Sequence, residues 1–229
     1  MPWSSTDAVD VLQCRALGTD IRTGVDPVRV QTGIVVDLGC FPHRDEISIE
    51  PLIRRYRPDV LYGFDPWPAL VEGERAFEGT RVILSRRAAW IEDGEIEFAR
   101  VGGLRGWDST VMRDKNTHDE WSKPGSVVRV PCFDFSSWLR GLAEPPIVKL
   151  DIEGAEFPVL QKLVDDGTDV LVAELLVEWH DDKMPQHAGR RAELLSALRC
   201  PVSPWEDAKT TVGSTIRGLW KSRSALGAR

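Results

Sequence analysis

The stretch Ile147-Val148-Lys149-Leu150-Asp151-Ile152-Glu153-Gly154-Ala155-Glu156 decides the fold, because it reads as a strand running straight into a helix with three carboxylates across the junction. Ile147, Val148 and Leu150 form a short apolar run, and Pro145-Pro146 punctuates it on the left, as expected of a strand buried on both faces. Asp151 and Glu153 are two apart, so on an extended chain they point the same way. Gly154 then releases the backbone into Ala155-Glu156-Phe157-Pro158-Val159-Leu160, a helix start in which Pro158 is tolerated because its missing N–H has no partner in a first turn. Glu156 is explained by the helix dipole, which favours acids at an N-terminus. Asp151 and Glu153 invite a second reading: open α/β sheets place their ligands beyond the carboxyl ends of their strands.

Upstream, Gly33-Ile34-Val35-Val36-Asp37-Leu38-Gly39-Cys40-Phe41-Pro42-His43 is a buried-strand pattern ending in Asp-x-Gly. Residues 45–56, with Ile47, Ile49, Leu52, Ile53 and Tyr56 at roughly helical spacing, complete a strand, tight turn and helix. Gly39 allows close backbone approach to a ligand, and the following helix offers free N–H groups. Asp59-Val60-Leu61-Tyr62-Gly63-Phe64-Asp65-Pro66 is a second strand ending in an acid. An acid about 20 residues past such a glycine turn accepts hydrogen bonds from ribose hydroxyls, which makes Asp65 the ribose candidate. The same position suits a cap for the residues after Pro66.

Downstream, Val82-Ile83-Leu84 is a third strand followed by Ala88-Ala89, and Glu92-Asp93-Gly94-Glu95 reads as a hairpin turn into Ile96-Glu97-Phe98. Residues 102–110 form a polar, glycine-rich loop, and 117–125 a loop with a short helical turn in which His118 is expected to be solvated. Val127-Val128-Arg129-Val130-Pro131 alternates like an edge strand, and residues 133–142 read as a short helix. The helix after Gly154 runs to about Val164 and is stopped by Asp165-Asp166-Gly167. Residues 170–180 follow as one strand, with Glu178 and His180 on the same side. Residues 189–198 are an amphipathic helix, 215–220 a last strand, and 7–17 a helix in an N-terminal extension. Strands alternating with helices in this order predict a doubly wound α/β sheet in which the Asp151 and Glu178 strands are neighbours. Asp151, Glu153, Glu178 and His180 are then expected to converge.

The net charge of −7 argues against a nucleic-acid partner. The basic residues near the end, Arg217, Lys221, Arg223 and Arg229, read as a solvated tail. Cys14, Cys40, Cys132 and Cys200 are scattered, without a CxxC pair or a leader before them, as expected of reduced thiols in a cytoplasmic protein. No apolar run reaches eighteen residues, so no membrane span is expected. The chain length suits a single domain over residues 31–229 with an extension over 1–30.

With these residues laid out, the chain resembles the FkbM family of S-adenosylmethionine-dependent methyltransferases. The resemblance rests on Val36-Asp37-Leu38-Gly39, on Tyr62-Gly63-Phe64-Asp65-Pro66 and above all on Val148-Lys149-Leu150-Asp151-Ile152-Glu153-Gly154-Ala155-Glu156. Residues 130–139, with Phe133-Asp134, and Val177-Glu178-Trp179-His180 also fit, so the similarity runs from about Ile34 to about Leu198. One departure is His43, which stands where the family's turn has its last glycine. The resemblance implies a Rossmann-like, seven-stranded sheet with helices on both faces, and O-methylation of a hydroxyl on a sugar or secondary metabolite. It would place Asp37 and Gly39 at the methionine end of the cofactor, Asp65 at its ribose, Ala88 near its adenine and Asp151 at the edge of the reaction chamber.

Methyl transfer to a hydroxyl needs positioning, and then a base or a metal, because a neutral hydroxyl is a poor nucleophile. His180 is the first candidate base, since an ordinary imidazole titrates near neutrality, with Glu153 or Glu178 to orient it. The pattern does not require a metal; if one is present, Asp151, Glu153, Glu178 and His180 are its ligands, suited to Mg²⁺ or, through the imidazole, to Mn²⁺ or Zn²⁺. Two rivals stand beside this reading. An NAD-dependent oxidoreductase would share the early strands but wants G-x-G-x-x-G, which Gly39, Phe41 and Arg44 do not supply. A non-catalytic binding module would keep the fold with its cofactor turn blocked at His43.

Overall fold

The computed structural model describes residues 32–40, 48–101, 109–115 and 118–205. The expected helix at 7–17, His43, the loop tip at 102–108, the last strand at 215–220 and the basic tail lie outside them. The first strand, β1 (Ile34–Leu38), is apolar apart from Asp37, and Val35, Val36 and Leu38 have no solvent exposure. A strand buried on both faces belongs in the middle of a sheet, and β1 sits there, paired in parallel with β2 (Val60–Phe64) on one side and β8 (Ile147–Leu150) on the other. Between them come β3 (Gly73–Phe77), β4 (Thr80–Ser85), β5 (Ala88–Trp90), β6 (Gly94–Ala99) and β7 (Val127–Asp134). After β8 follow β9 (Glu174–Val177) and β10 (Val202–Pro204).

The main sheet has the order β10-β9-β8-β1-β2-β4-β3, parallel throughout except for β3, which returns antiparallel along the edge. The chain builds outward from β1 through β2 and then crosses to the other side of β1 with β8, so the strand order reverses between β1 and β8. That reversal opens the crevice where ligands sit in this class of sheet. Alternating side chains feed two apolar layers. Val36, Leu38, Val148 and Leu150 pack with Phe157, Leu160 and Leu163 of α3 (Glu156–Asp166) and Leu194 of α4 (Arg190–Ala197). Val35, Leu61 and Ile147 pack with Ile49, Leu52 and Ile53 of α1 (Ile49–Tyr56). The doubly wound expectation, with helices on both faces, therefore holds. No helix among the described residues is long and apolar enough to cross a membrane.

Register brings the strand tips level. Leu38 stands opposite both Leu150 and Phe64, and Leu150 opposite Val177. The next residue of each strand is tied to its neighbour: Gly39 N–H donates to Phe64 O (2.9 Å), Asp151 N–H to Leu38 O (3.1 Å) and Glu178 N–H to Leu150 O (2.9 Å). Three chain segments thus leave the sheet side by side at one end.

Four local expectations need correction. Residues 92–95 do not make a hairpin, because β5 and β6 flank β7 on opposite sides in a second sheet of order β5-β7-β6. Consequently β7 is central there and not an edge; Pro131 is accommodated because β5 pairs only with Cys132, Phe133 and Asp134. The strand continues to Asp134, whose side chain caps α2 (Phe135–Leu139) by accepting from Ser137 N–H (2.9 Å), so the helix begins two residues later than its apolar pattern suggests. Finally, residues 170–180 are not one strand: a 3₁₀ turn, Asp169–Leu171, precedes β9, and Glu178 and His180 lie beyond its end. The turn is set by Asp169, which is fully buried and accepts from the Arg199 backbone N–H (2.8 Å) and Nε (3.0 Å). β3 and β10 were not legible, being respectively an exposed charged edge and a three-residue strand bracketed by prolines.

The second sheet is joined to the first by rings. Phe133 lies 4.6 Å from Phe64 between centroids, and Trp138 packs edge-on against Tyr62 (5.3 Å) and Phe64 (5.2 Å).

Gly39 has φ +83°, and a Cβ there would stand 1.8 Å from the Asp151 carbonyl oxygen. Gly39→Ala is expected to lower stability by at least about 1–2 kcal/mol from the backbone conformation alone, with the clash added. Urea denaturation measures it, and an unchanged midpoint would mean that the β1 and β8 tips do not meet in this way.

Candidate active site

An ammonium group lies at the centre of the strand tips. Lys149 is the one charged residue of β8, and the strand buries it completely. Its Nζ lies 3.0 Å from Asp37 Oδ1 and 3.4 Å from Asp151 Oδ2, and donates to Gly39 O (2.9 Å) and Leu38 O (3.4 Å). Burial works against the charge, but Asp37 and Asp151 outweigh it and hold the lysine well above its usual range. Asp37, also fully buried, receives the Ser48 hydroxyl on its other oxygen, which ties the turn to the start of α1. In this structure Asp37 therefore faces Lys149 and Ser48, and the close approach that Gly39 permits is to Asp151.

The other proposed cofactor contacts lie along the same end. Asp65, just past β2, accepts the Trp67 N–H on Oδ1 (2.8 Å), so the capping interaction is present. Ala88 is buried at the start of β5, in the second sheet, next to Arg87, whose guanidinium lies over the Phe133 ring at 4.7 Å.

Beyond β8 the chain does not stay extended. Glu153 adopts a left-handed conformation, φ +56°, uncommon for a residue with a Cβ, and Gly154 follows at φ +102°. What holds this turn is Glu156, which is fully buried: Oε1 accepts from Ile152 N–H (2.7 Å) and Oε2 from Gly154 N–H (2.8 Å). Thr110 Oγ1, from the segment after β6, donates to the Glu153 carbonyl (2.8 Å). The Glu153 carboxylate is met by the buried Lys115 and by Lys183 Nζ at 3.3 Å.

His180 is 4% exposed. Its Nδ1 lies 3.1 Å from Glu156 Oε1, and its Nε2 lies 3.3 Å from Glu153 Oε2 and 3.8 Å from Asp151 Oδ1. Burial lowers its pKa, but Glu156, Glu153 and Asp151 together overcome that and push it up to about 9. The acids around the ring thus favour its protonated form, in contrast to the ordinary imidazole pKa expected of a general base.

Asp151, Glu178 and His180 each present a ligand atom within 4.8 Å of the others. Donors bound at about 2.0–2.2 Å from a common ion lie at most about 4.4 Å apart, so the three would have to close together to hold one divalent cation. The oxygen and imidazole donors suit Mg²⁺, Mn²⁺ or Zn²⁺. Glu153, expected as a fourth ligand, is not among the three.

Sequence reasoning missed Lys149, Glu156, Lys115 and Lys183 as site residues. A charge inside an otherwise apolar four-residue strand was a usable signal for Lys149. The lysines come from segments whose meeting only the tertiary fold determines.

A mostly parallel seven-stranded sheet with its polar cluster at the switch point between β1 and β8 is consistent with the Rossmann-like methyltransferase fold. More specifically, the chain belongs to the methyltransferase FkbM domain family, whose model matches residues 44–199. That match spans the site loops after β8 and β9 and starts beyond β1 and its turn. No curated protein and no solved structure matches the chain. The family's activity implies S-adenosylmethionine as methyl donor.

Replacing Lys149 by Met should cost about 3–5 kcal/mol in chemical denaturation, because it strands Asp37 as an uncompensated buried charge; a near-neutral effect would contradict the clamp. His180 has a folded pKa raised above the ordinary 6.5 to about 9, so its contribution to stability is full below the first value and lost as pH rises through the second. In chelator-treated buffer the stability of the wild type relative to His180→Gln should fall across that window. A constant difference would show that the acids around the ring do not bind its charged form.

Proposed function

We propose that this methyltransferase carries a methyl group from S-adenosylmethionine to a hydroxyl of a small molecule or glycan at the level tips of β1, β8 and β9. The observation that carries the reading is the convergence of Asp151, Glu178 and His180 at that end of the sheet, beside the turn after β1. The donor supplies an electrophilic methyl on a sulfonium: the acceptor oxygen forms the new C–O bond as the C–S bond breaks, and S-adenosylhomocysteine leaves with the electron pair. The acceptor must shed its proton. His180, Asp151 and Glu178 are the groups at this end placed to take it, and the acids around the imidazole favour its protonated form.

A divalent ion held by Asp151, Glu178 and His180 would supply Lewis acidity that lowers the pKa of the hydroxyl. His180 would hold it through an unprotonated ring nitrogen. The observation that favours it is that Asp151, Glu178 and His180 each bring a ligand atom to within 4.8 Å of the others.

Asp65 would bind the donor ribose, Ala88 would lie near its adenine, and Gly39 would shape the seat through its approach to Asp151. We place the protein in the cytoplasm, on the strength of Cys40, Cys132 and Cys200 being buried and unpaired. With a net charge of −7, nucleic acid is not the partner we propose.

Isothermal calorimetry should give heat with S-adenosylmethionine and none with NAD. Heat with NAD alone would favour an oxidoreductase, and silence with both a binding module. Asp65→Ala should weaken donor binding by about 1–3 kcal/mol, roughly 5- to 150-fold. Unchanged affinity in a folded variant would remove Asp65 from the donor site.

A further inference from the structure

We propose that Glu156 is the positioning residue of this site, acting through His180: it fixes the imidazole so that Nε2 faces Asp151 and Glu153. The functional meaning of that orientation rests on the methyltransferase reading above. A carboxylate at the start of a helix gains about 0.3–1 kcal/mol from the dipole while remaining in water. Glu156 instead has no exposure, and burying an ion costs several kcal/mol unless its oxygens are satisfied. Dipole stabilisation does not explain why the side chain turns back beneath the loop.

Its partners do. Two of the three are the Ile152 and Gly154 N–H groups, which bracket the left-handed Glu153, and the third is His180 Nδ1 at 3.1 Å. An ionised carboxylate can only accept, so Nδ1 must carry a proton. When the ring is neutral, its lone pair is then on Nε2, the atom turned towards Asp151 Oδ1 and Glu153 Oε2. A histidine that binds a metal or reacting group through one nitrogen is usually held by such a carboxylate at the other. One buried side chain thus sets both the loop that carries Asp151 and Glu153 and the ring that faces them. His180 lies beyond the end of β9, so no strand pairing fixes its ring, and the Glu156 contact distinguishes its two nitrogens.

The test is the tautomer of His180 in the full chain, read from ¹⁵N shifts of its ring nitrogens in chelator-treated buffer at a pH where the ring is neutral. Wild type should show the Nδ1–H form, whereas free imidazole side chains favour Nε2–H. Glu156→Met, checked for native amide dispersion, should revert to the Nε2–H form. Should that variant fail to fold, the wild-type spectrum alone decides. An Nε2–H majority in wild type, or an unchanged Nδ1–H majority in folded Glu156→Met, overturns the proposal. Mn²⁺ serves as the functional probe. Glu156→Met should weaken its binding about 10- to 100-fold, and add nothing in a His180→Ala background. An equal loss in both backgrounds would make Glu156 a merely structural residue. Absence of Mn²⁺ binding by the wild type would count against the metal reading, with the tautomer still deciding the role of Glu156.

Discussion

A single buried ammonium holds the strand tips together. Lys149 sits in a strand otherwise made of Ile147, Val148 and Leu150, and it reaches the carboxylates of Asp37 and Asp151 and the carbonyl of Gly39. Removing such a charge from water costs several kcal/mol, so the arrangement is stable only with both acids and the carbonyls in place. The same contacts bind the end of β1 to the end of β8 across the point where the strand order reverses. The crevice that opens there inherits its shape from this clamp, and Gly39 permits it by leaving room for the Asp151 carbonyl.

From that fixed edge the site is built in two steps. Glu156 curls the loop after β8 back on itself, which takes Glu153 out of line with Asp151. The segment after β6 then contributes from outside the Rossmann-like core: Thr110 grips the Glu153 backbone and Lys115 its carboxylate. Asp151, Glu178 and His180 bring together the donors suited to a metal. The segment that leaves the three-stranded sheet after β6 is therefore part of the site's construction.

Much of the core was legible because its signals are local. Apolar runs ending in Asp-x-Gly or in an acid gave β1, β2 and β8, and Gly154 before Pro158 with the stop at Asp165-Asp166-Gly167 gave α3. The convergence of Asp151 with His180 followed from neighbouring parallel strands and the shared end of the sheet. What failed depended on tertiary context. The run over residues 170–180 is apolar enough for one long strand, yet Asp169 and its bonds to Arg199 impose a turn within it. The hairpin at residues 92–95 had the right turn residues, but β7, distant in sequence, inserts between the two strands. The raised His180 pKa was not legible, because Glu156, the strongest of the acids that raise it, was read from the helix dipole alone, and only the folded chain brings it to the ring.

The central claim is that the methyl donor sits over the turn after β1, with Asp151 and His180 at its reactive end. A crystal structure of the full chain with S-adenosylhomocysteine tests it most directly. The account predicts the product sulfur beside the Gly39 turn, its ribose hydroxyls at Asp65, and Asp151, Glu178 and His180 facing the position from which the methyl has left. Product bound elsewhere, or a β1 turn closed against it with His180 directed away from the sulfur, would contradict the account.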